Sequence, residues 1–312
     1  MTGVGGGVGQ AVLKSLQDSS YECVAYDSSP LAAGLYLAKD SWLGLAASQP
    51  GYIEDVLAAV LKFDCKYVIP GHDVELIPLV KARSLFEKYG VTVVTSDVPL
   101  IELADDKYKT ANSLKLHGFD TPETWTLDEF IWQGEPVVMK PKKGGARSKN
   151  TYIANNEDEF HQYLGLVDRE NTVVQEYCTG DEFTCGTLTF DGTFQGSISM
   201  KRELRCGDTY KAFSLKNDDI MNTLDRVCGV LQPIGPCNFQ LKLDGNRVRI
   251  FEINARFSGT TFLRKLCGFD EVIYTLNYLS GRPLPNLKWK EQTMLRLWTE
   301  VSIQNTEMKF KQ

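Results

Sequence analysis

The 312-residue sequence lacks any long run of basic residues and any long run of apolar ones. Its formal net charge is −6, and its lysines and arginines form no stripe. Nucleic-acid-binding proteins typically present a basic patch to the phosphates, so nucleic acid is not the expected partner. No stretch approaches the roughly 18 consecutive apolar residues of a membrane span, and the first residues do not resemble a signal peptide. We therefore expect a cytoplasmic protein without a membrane partner.

Paired cysteines and abundant histidines are also missing. The eight cysteines stand singly, with no CxxC pair, and there are only three histidines. A zinc site or a disulfide framework normally needs closely spaced ligands or conserved cysteine pairs. We expect reduced thiols instead.

The first hundred residues alternate between strand and helix patterns. ECVAYD, KYVIP and VTVVTS are typical of strands, and helices are predicted at QAVLKSLQ, YIEDVLAAVLKF and VELIPLVKARSLFEKYG. This alternation predicts an α/β domain whose parallel sheet is covered on both faces. Only residues 1–3 precede the glycine loop, so the first strand of that sheet is expected to be almost absent.

The opening MTGVGGGVGQ is close to a dinucleotide fingerprint, G-x-G-x-x-G with an acidic residue about 20 residues later. Starting at Gly3 puts Val8 in the last position, and starting at Gly5 puts Gln10 there, so the spacing fails. Asp27 does stand where the ribose-binding acid would. A tight strand-to-helix turn accounts for the glycines, and an NAD(P)-dependent oxidoreductase stays as the alternative.

The pattern becomes mixed after the first hundred residues. Lys140 ends the strand PVVMK, and the loop that follows contains Gly144, Gly145 and Arg147. A lysine beside a glycine-rich loop suits a triphosphate, because the lysine supplies charge and the glycines let backbone N–H groups approach phosphate oxygens. A solvated basic turn is the alternative.

The stretch VVQEYCTGDEF has the pattern of a strand that leads into a turn. Gln175 and Glu176 could contact the amino group of an adenine, together with the backbone around Tyr177 and Cys178. Glu182 could accept hydrogen bonds from ribose hydroxyls. An ordinary acidic strand edge explains the same residues.

The strongest signal is FEINARFSG, in which Glu252, Asn254 and Arg256 alternate with apolar residues. Residues i and i+2 of a strand share a face, so a carboxylate, an amide and a guanidinium would stand in a row. Hard oxygen ligands of this kind suit Mg²⁺ shared with substrate phosphates. Arg256 would stabilise charge on a transferred phosphoryl group or an oxyanion.

In this order the motifs resemble the ATP-grasp superfamily, and in particular one module of the carbamoyl phosphate synthetase large subunit. GVGGGVGQ, VIPGHDVELIPL and VTVV resemble its pre-ATP-grasp domain, whereas DKYKT, VVMKPKKGGARS, QEYCTGDEFT, CNFQLKL and FEINARFSGTT resemble the grasp core. The resemblance implies an α/β pre-ATP-grasp domain with a parallel sheet over residues 1–103. It further implies an α+β ATP-grasp domain over 104–312, with a smaller lid lobe at about 120–177 and a catalytic lobe at about 178–312.

The resemblance also implies the site. ATP would lie between the lobes, with phosphates at Lys107 and Lys140, and its adenine and ribose would be bound around residues 175–182. The metal ligands would be Gln240, Glu252 and Asn254, and Arg256 would lie at the reaction centre. The segment KRELRCGDTYKA resembles one near the substrate in related ligases, which makes Arg202, Arg205 and Lys211 weaker candidates.

The expected activity is an ATP-dependent carboxylate–amine (or ammonia) ligase that acts through an acyl phosphate. The expected cofactors are ATP and Mg²⁺, with Mn²⁺ as a substitute, and the partners are small-molecule carboxylates and amines, with a homodimer as the assembly suggested by similar ligases. With one grasp module and no glutaminase, the chain is not a complete carbamoyl phosphate synthetase. A non-catalytic ATP-binding module is the remaining alternative.

The hairpin QLKLDGNRVRIFEIN tests the proposed metal site. A two-residue loop at Asp-Gly would place Gln240 opposite Arg249, on the face away from Glu252. A three-residue loop over 244–246 brings Gln240 and Glu252 to one face and sends Phe251 to the core. Burial of the apolar side chains on the core face contributes about 1.5–3 kcal/mol each, so we expect the three-residue loop.

Overall fold

The structure, a computed structural model, describes residues 1–145, 149–297 and 299–303. Its helices are α1 (Gly7–Leu16), α2 (Gly34–Leu37), α3 (Tyr52–Lys62), α4 (Asp73–Lys81), α5 (Arg83–Glu87), α6 (Val98–Asp105), α7 (Lys107–Leu116), α8 (Glu157–Leu164), α9 (Asp218–Leu231), α10 (Thr261–Cys267) and α11 (Glu271–Ser280). Its strands are β1 (Val24–Asp27), β2 (Asp40–Leu43), β3 (Tyr67–Val68), β4 (Thr92–Val93), β5 (Thr124–Thr126), β6 (Val137–Pro141), β7 (Tyr152–Ala154), β8 (Thr172–Glu176), β9 (Asp181–Phe190), β10 (Thr193–Arg205), β11 (Asp208–Ser214), β12 (Gly235–Asp244), β13 (Arg247–Asn254) and β14 (Thr293–Leu295). Among these helices, none combines the length and the apolar character that crossing a membrane requires.

The N-terminal domain contains two pairs of parallel strands, β1 with β2 and β3 with β4. Residues 1–4 run between the two pairs. The Tyr26 N–H donates to the Met1 carbonyl over 2.9 Å, and the Thr2 N–H donates to the Ile69 carbonyl over 3.0 Å. These bonds link the pairs into one parallel arrangement, as the alternating pattern predicts, and the short opening segment takes the place of a first strand.

The glycine loop is a close-packed turn between this segment and α1. A Cβ on Gly9 would lie 2.5 Å from the Gly3 carbonyl oxygen, so the helix can approach the loop only with glycine there. The Gly5 N–H donates to the carboxylate of Asp27 over 2.7 Å. The acidic residue that a dinucleotide fingerprint would use for ribose is therefore bonded to the loop itself.

The single helix predicted around residues 74–89 is interrupted. Helix α4 ends before Ala82, whose φ of −91° and ψ of 3° leave the helical range, and α5 follows it. Pro78 lies inside α4, where its ring removes one backbone donor.

The remaining strands form two antiparallel sheets, which confirms the predicted fold class. One has the order β5-β8-β6-β7, and the other has the order β13-β12-β9-β10-β11-β14. Side chains from α4, α6, α7 and α9 pack with β9, β12 and β13 into one buried apolar cluster. This cluster covers one face of the six-stranded sheet. The polar side chains of β12 and β13 lie on the other face. The exact domain and lobe boundaries stay a prediction.

In the β12–β13 hairpin, the predicted metal ligands Gln240 and Glu252 lie on one face, but not for the predicted reason. The three-residue loop was wrong: Asp244 pairs with Arg247, so the loop has two residues, Gly245 and Asn246. Gly245 has a φ of +59°, as the first position of a type II′ turn requires. The register then shifts by one residue at Phe251, so that Leu241 pairs with Ile250 and Gln240 pairs with Glu252.

This shift is a β-bulge, which adds one unpaired residue to one strand. It places Gln240 and Glu252 on one face, as predicted, and keeps Ile250 and Ile253 in the core. The prediction that Phe251 joins the buried apolar face was wrong. Phe251 is half-buried and lies beside Lys140 of the other sheet.

Candidate active site

A continuous row of hydrogen-bonded polar side chains crosses β9, β10, β12 and β13. Arg202 donates to Glu182 over 2.8 Å and to the Gln240 Oε1 over 2.5 Å. The Gln240 Nε2 donates to the Glu252 Oε1 over 3.0 Å, and the Asn254 Nδ2 donates to the same oxygen over 3.1 Å. The bulge thus brings three predicted metal ligands and two further predicted site residues into one network.

The row fits a hard divalent cation in part. Among the described residues the Glu252 Oε2 accepts no hydrogen bond, and Asn254 lies beside Glu252 with its amide nitrogen on that carboxylate and its oxygen on Arg256. The amide of Gln240 presents its oxygen to Arg202 and its nitrogen to Glu252, as a donor on one side and an acceptor on the other require. In the described part of the chain, no three His, Cys, Asp or Glu residues converge on a metal site. Glu252 and Asn254 are therefore the residues best placed to hold Mg²⁺, which would share phosphate oxygens.

Arg256 follows β13 and forms a two-point ion pair with Asp73 at the start of α4. Its Nε and Nη2 each lie 2.6 Å from a carboxylate oxygen of Asp73. Burial would raise the pKa of Asp73, but the charge and hydrogen bonds of Arg256 outweigh burial, and the pKa lies below its ordinary value. The arginine predicted at the reaction centre is thus anchored by the N-terminal domain.

Lys140, at the end of the strand β6, is buried beneath Phe251. Its Nζ donates to the Gln175 Oε1 over 2.7 Å and lies 5.2 Å from the centre of the Phe251 ring. Burial lowers the pKa of Lys140 to about 8, opposed by the attraction of Glu252. The Gln175 Nε2 donates to Thr124, so this glutamine is fully engaged in holding the lysine.

Lys107 approaches the glycine loop from α7. It is buried, and its Nζ donates to the Gly144 carbonyl over 2.8 Å. Gly144 and Gly145 have φ values of +69° and +79°, a conformation that side chains other than glycine rarely adopt. Arg147, the predicted clamp in this loop, lies outside the described residues.

Two side chains predicted to bind adenine or ribose, Glu176 and Glu182, are bonded to arginines. Both oxygens of Glu176 bind the guanidinium of Arg249, which lowers the pKa of this carboxyl. The Glu176 side chain is therefore engaged, whereas the chain that follows it runs through exposed Tyr177, whose N–H donates to the Pro136 carbonyl, and buried Cys178. The carboxylate of Glu182 is held by Arg202 within the polar row.

The three weaker substrate candidates are not brought together. Arg202 belongs to the row, but Arg205 and Lys211 lie toward the turn between β10 and β11. The Nζ of Lys211 lies 2.9 Å from Glu203, and the guanidinium of Arg205 lies 5.6 Å from the centre of the Tyr210 ring. Among the described residues, Lys211 makes no bond to the row.

Sequence reasoning missed three residues that shape this site. Asp73 follows the end of β3, where parallel sheets commonly present functional side chains, and that position is the signal that could have found it. Regular alternation along β13 predicts Phe251 in the core, but the bulge at this residue interrupts the alternation. Arg249 carries no signal in the sequence, since its partner Glu176 is 73 residues away.

Comparison with protein families places two matches on the chain. A model of the ATP-grasp domain matches residues 104–260, which is half of the chain, and a model of the PylC-like N-terminal domain matches residues 4–94. The carbamoyl phosphate synthase large chain of Thermotoga neapolitana is 24% identical over 298 residues, covering 88% of this chain but 26% of that protein. D-alanine–D-alanine ligase A of Bacillus cereus is 30% identical over 148 residues, covering 44% of this chain and 46% of the ligase.

Solved structures show the same fold. N5-carboxyaminoimidazole synthetase from Staphylococcus aureus, complexed with ADP, matches with a TM-score of 0.74 at 19% identity, covering 95% of this chain and 81% of that one. Biotin carboxylase from Campylobacter jejuni matches with a TM-score of 0.68 at 16% identity, covering 90% and 70%. The chain spans about a quarter of the synthase large chains that it matches. From the domain match and the fold together, the chain belongs to the ATP-grasp family.

Proposed function

We propose that this protein is an ATP-dependent ligase that joins a carboxylate to an amine or ammonia. The observation that carries the proposal is the row that ends in Glu252, Asn254 and Arg256, with the buried cation of Lys140 next to it. A free carboxylate oxygen, an amide and two cations together suit a triphosphate and an acid that is being phosphorylated.

In the proposed reaction, an oxygen of the substrate carboxylate attacks the γ-phosphorus of ATP, and the bond to the β–γ bridging oxygen breaks, which releases ADP. The amine then attacks the acyl carbon, phosphate leaves, and the amine proton passes to solvent. Bound Mg²⁺ would supply positive charge to the phosphate oxygens. Lys107 and Lys140 position the phosphates, and Arg256 stabilises the charge on the acyl phosphate.

Gly144 and Gly145 would close over the triphosphate and keep water from the acyl phosphate, which hydrolyses readily. The names of the similar proteins support this class of reaction. They include carbamoyl phosphate synthases, a D-alanine–D-alanine ligase and an L-amino acid ligase from Bacillus licheniformis.

The test is an ADP-release assay with pools of carboxylates and pools of amines, each with and without Mg²⁺. We expect continuous ADP release only when Mg²⁺, one carboxylate and one amine are all present, at most about one ADP per protein molecule without the amine, and none from the Glu252→Gln variant. ATP binding without turnover in any pool would favour the non-catalytic module. Binding of NAD(P)H without a response to ATP would favour the oxidoreductase.

A further inference from the structure

Almost every donor of Arg256 is assigned. A guanidinium has five N–H groups. Its Nε and Nη2 bind Asp73, the Nη2 also donates to the Asn254 Oδ1 over 3.1 Å, and the Nη1 donates to the Phe257 carbonyl over 2.9 Å. One Nη1 hydrogen is left without a partner among the described residues, so the ion pair with Asp73 decides where that hydrogen points.

A second carboxylate competes for the same guanidinium. Glu252 and Arg256 are bonded to opposite ends of one amide, since Asn254 donates to Glu252 and accepts from Arg256. Among the groups acting on the buried charge of Arg256, Glu252 is an attractive one. If Asp73 were neutral, Glu252 would be the carboxylate that still attracts Arg256, and pairing with it would neutralise the carboxylate needed for a cation.

The position of Asp73 is held by the start of α4 and by hydrogen bonds in the turn before it. Asp73 is the first residue of α4, where the helix dipole favours a carboxylate. The turn before it is braced by Glu75, whose carboxylate accepts from the Gly71 and His72 N–H groups, each over 3.0 Å, and from the Thr2 hydroxyl over 2.8 Å. The N-terminal domain therefore holds the Asp73 carboxylate in place against Arg256.

We propose that Asp73 is a positioning residue that holds Arg256 away from Glu252, so that the Glu252 carboxylate stays available to the metal ion. The inference rests on the proposed function only in taking Glu252 as a metal ligand. It assigns the N-terminal domain a part in the chemistry of the other domain, through one ion pair.

The first test needs neither nucleotide nor turnover. Free energies of unfolding are measured by denaturant titration for Asp73→Asn, Glu252→Gln and the double variant. Since Glu252 takes over Arg256 when Asp73 is neutral, the double variant loses more stability than the two single variants together, because a buried guanidinium is then left unpaired. Additive losses would show that Glu252 does not compete and would overturn the proposal.

The second test follows Mg²⁺. In Asp73→Asn, we expect the Mg²⁺ concentration required for tight ADP binding, measured by calorimetry, to rise about 10- to 100-fold, the usual effect of losing a residue that orients a ligand. In an Arg256→Met background, Asp73→Asn should cause no further rise, because the competing cation is gone. A rise that persists in this background would contradict the proposed route through Arg256, and this pair of variants also serves if Asp73→Asn alone does not fold.

The matched control is Asp97→Asn, which breaks another Arg–Asp pair of the N-terminal domain, 2.5 Å between Arg83 and Asp97. It should leave the Mg²⁺ requirement at the wild-type value. If the wild-type protein binds no MgADP, the proposed function fails, whereas the unfolding measurements still decide the role of Asp73.

Discussion

Lys140 is the residue at which burial and charge oppose each other most directly. It is 7% exposed, and its pKa is lowered to about 8 because burial disfavours the ammonium ion. The glutamine that accepts its hydrogen bond supplies a dipole but no charge. A phosphate would supply the missing anion, so nucleotide binding and protonation of Lys140 should be coupled.

We expect nucleotide affinity to fall as the pH rises above about 8, by up to about tenfold per pH unit, because binding must then protonate Lys140. The stability of the nucleotide-free protein should change in the opposite direction. The pKa is lower in the folded state, so the unfolded chain binds more protons between about pH 8 and the ordinary lysine pKa of 10.5, and the contribution of Lys140 to the free energy of unfolding rises with pH over that range.

Calorimetry between pH 7 and 10 measures this dependence. Lys140→Arg should bind nucleotide with a much smaller slope, since a guanidinium stays charged throughout. Lys142→Arg is the control, because Lys142 follows the end of β6, is only half-buried, and directs its Nζ to the Glu170 carbonyl. An equal slope in the Lys140→Arg protein would show that another group titrates.

At the scale of an element, the bulge in β13 is what joins the core to the site. Near the two-residue turn the side chains of β13 alternate so that Val248 and Ile250 lie in the core. The extra residue at Phe251 reverses this alternation, so that the next side chain, Glu252, lies on the polar face. Without that extra residue, a two-residue turn and a buried Ile250 would send Glu252 into the core.

Deleting Phe251 should therefore leave a regular ladder, with Leu241 opposite Ile250 and Gln240 opposite Glu252, as in the native register. We expect the variant to fold with a loss of about 1–2 kcal/mol for its half-buried ring, and to bind nucleotide less tightly because Lys140 loses its cover. Denaturant titration and calorimetry measure the two effects.

Deletion of Val248 is the matched control. It also removes one residue, but the pairing that preserves Gln240 opposite Glu252 would turn the guanidinium of Arg249 toward the core. The expected cost is about 3–5 kcal/mol, since a buried charge loses its partner. Equal stability of the two deletion variants would show that the bulge does not set the register.

At the scale of the whole molecule, nucleotide binding should stabilise both domains together, because Arg256 and Asp73 connect them beside the site. At a concentration about 100 times its dissociation constant, MgATP should add about 2.7 kcal/mol to the free energy of unfolding. This corresponds to a rise of several degrees in Tm, at roughly 2–4 °C per kcal/mol. NADH should give no rise, because the acid of the glycine loop is already bonded to Gly5.

Differential scanning calorimetry makes this comparison, with Lys140→Ala as the control that should lose most of the MgATP shift. A rise with NADH that equals the rise with MgATP would contradict the assignment of the nucleotide to the grasp domain.

The sequence by itself determined the two kinds of sheet and most of the order of elements, but it did not predict α2 and β2. Strand–helix alternation marks the first hundred residues, and apolar alternation in FEINARFSG marks a strand with a polar face, because these periods depend only on neighbouring residues. The resemblance of several ordered motifs predicts that Lys140, Glu252 and Arg256 belong to one site.

Only the tertiary structure decided which charged side chains of the site pair with one another. The partners of Arg256 and Glu176 are Asp73 and Arg249, more than 70 positions away, and no local period encodes such pairs. The bulge was also beyond local rules: Gly245 and Asn246 form a two-residue loop of a kind that glycine favours, but the extra residue at Phe251 is required because Val248, Ile250 and Ile253 are all buried on one face of β13.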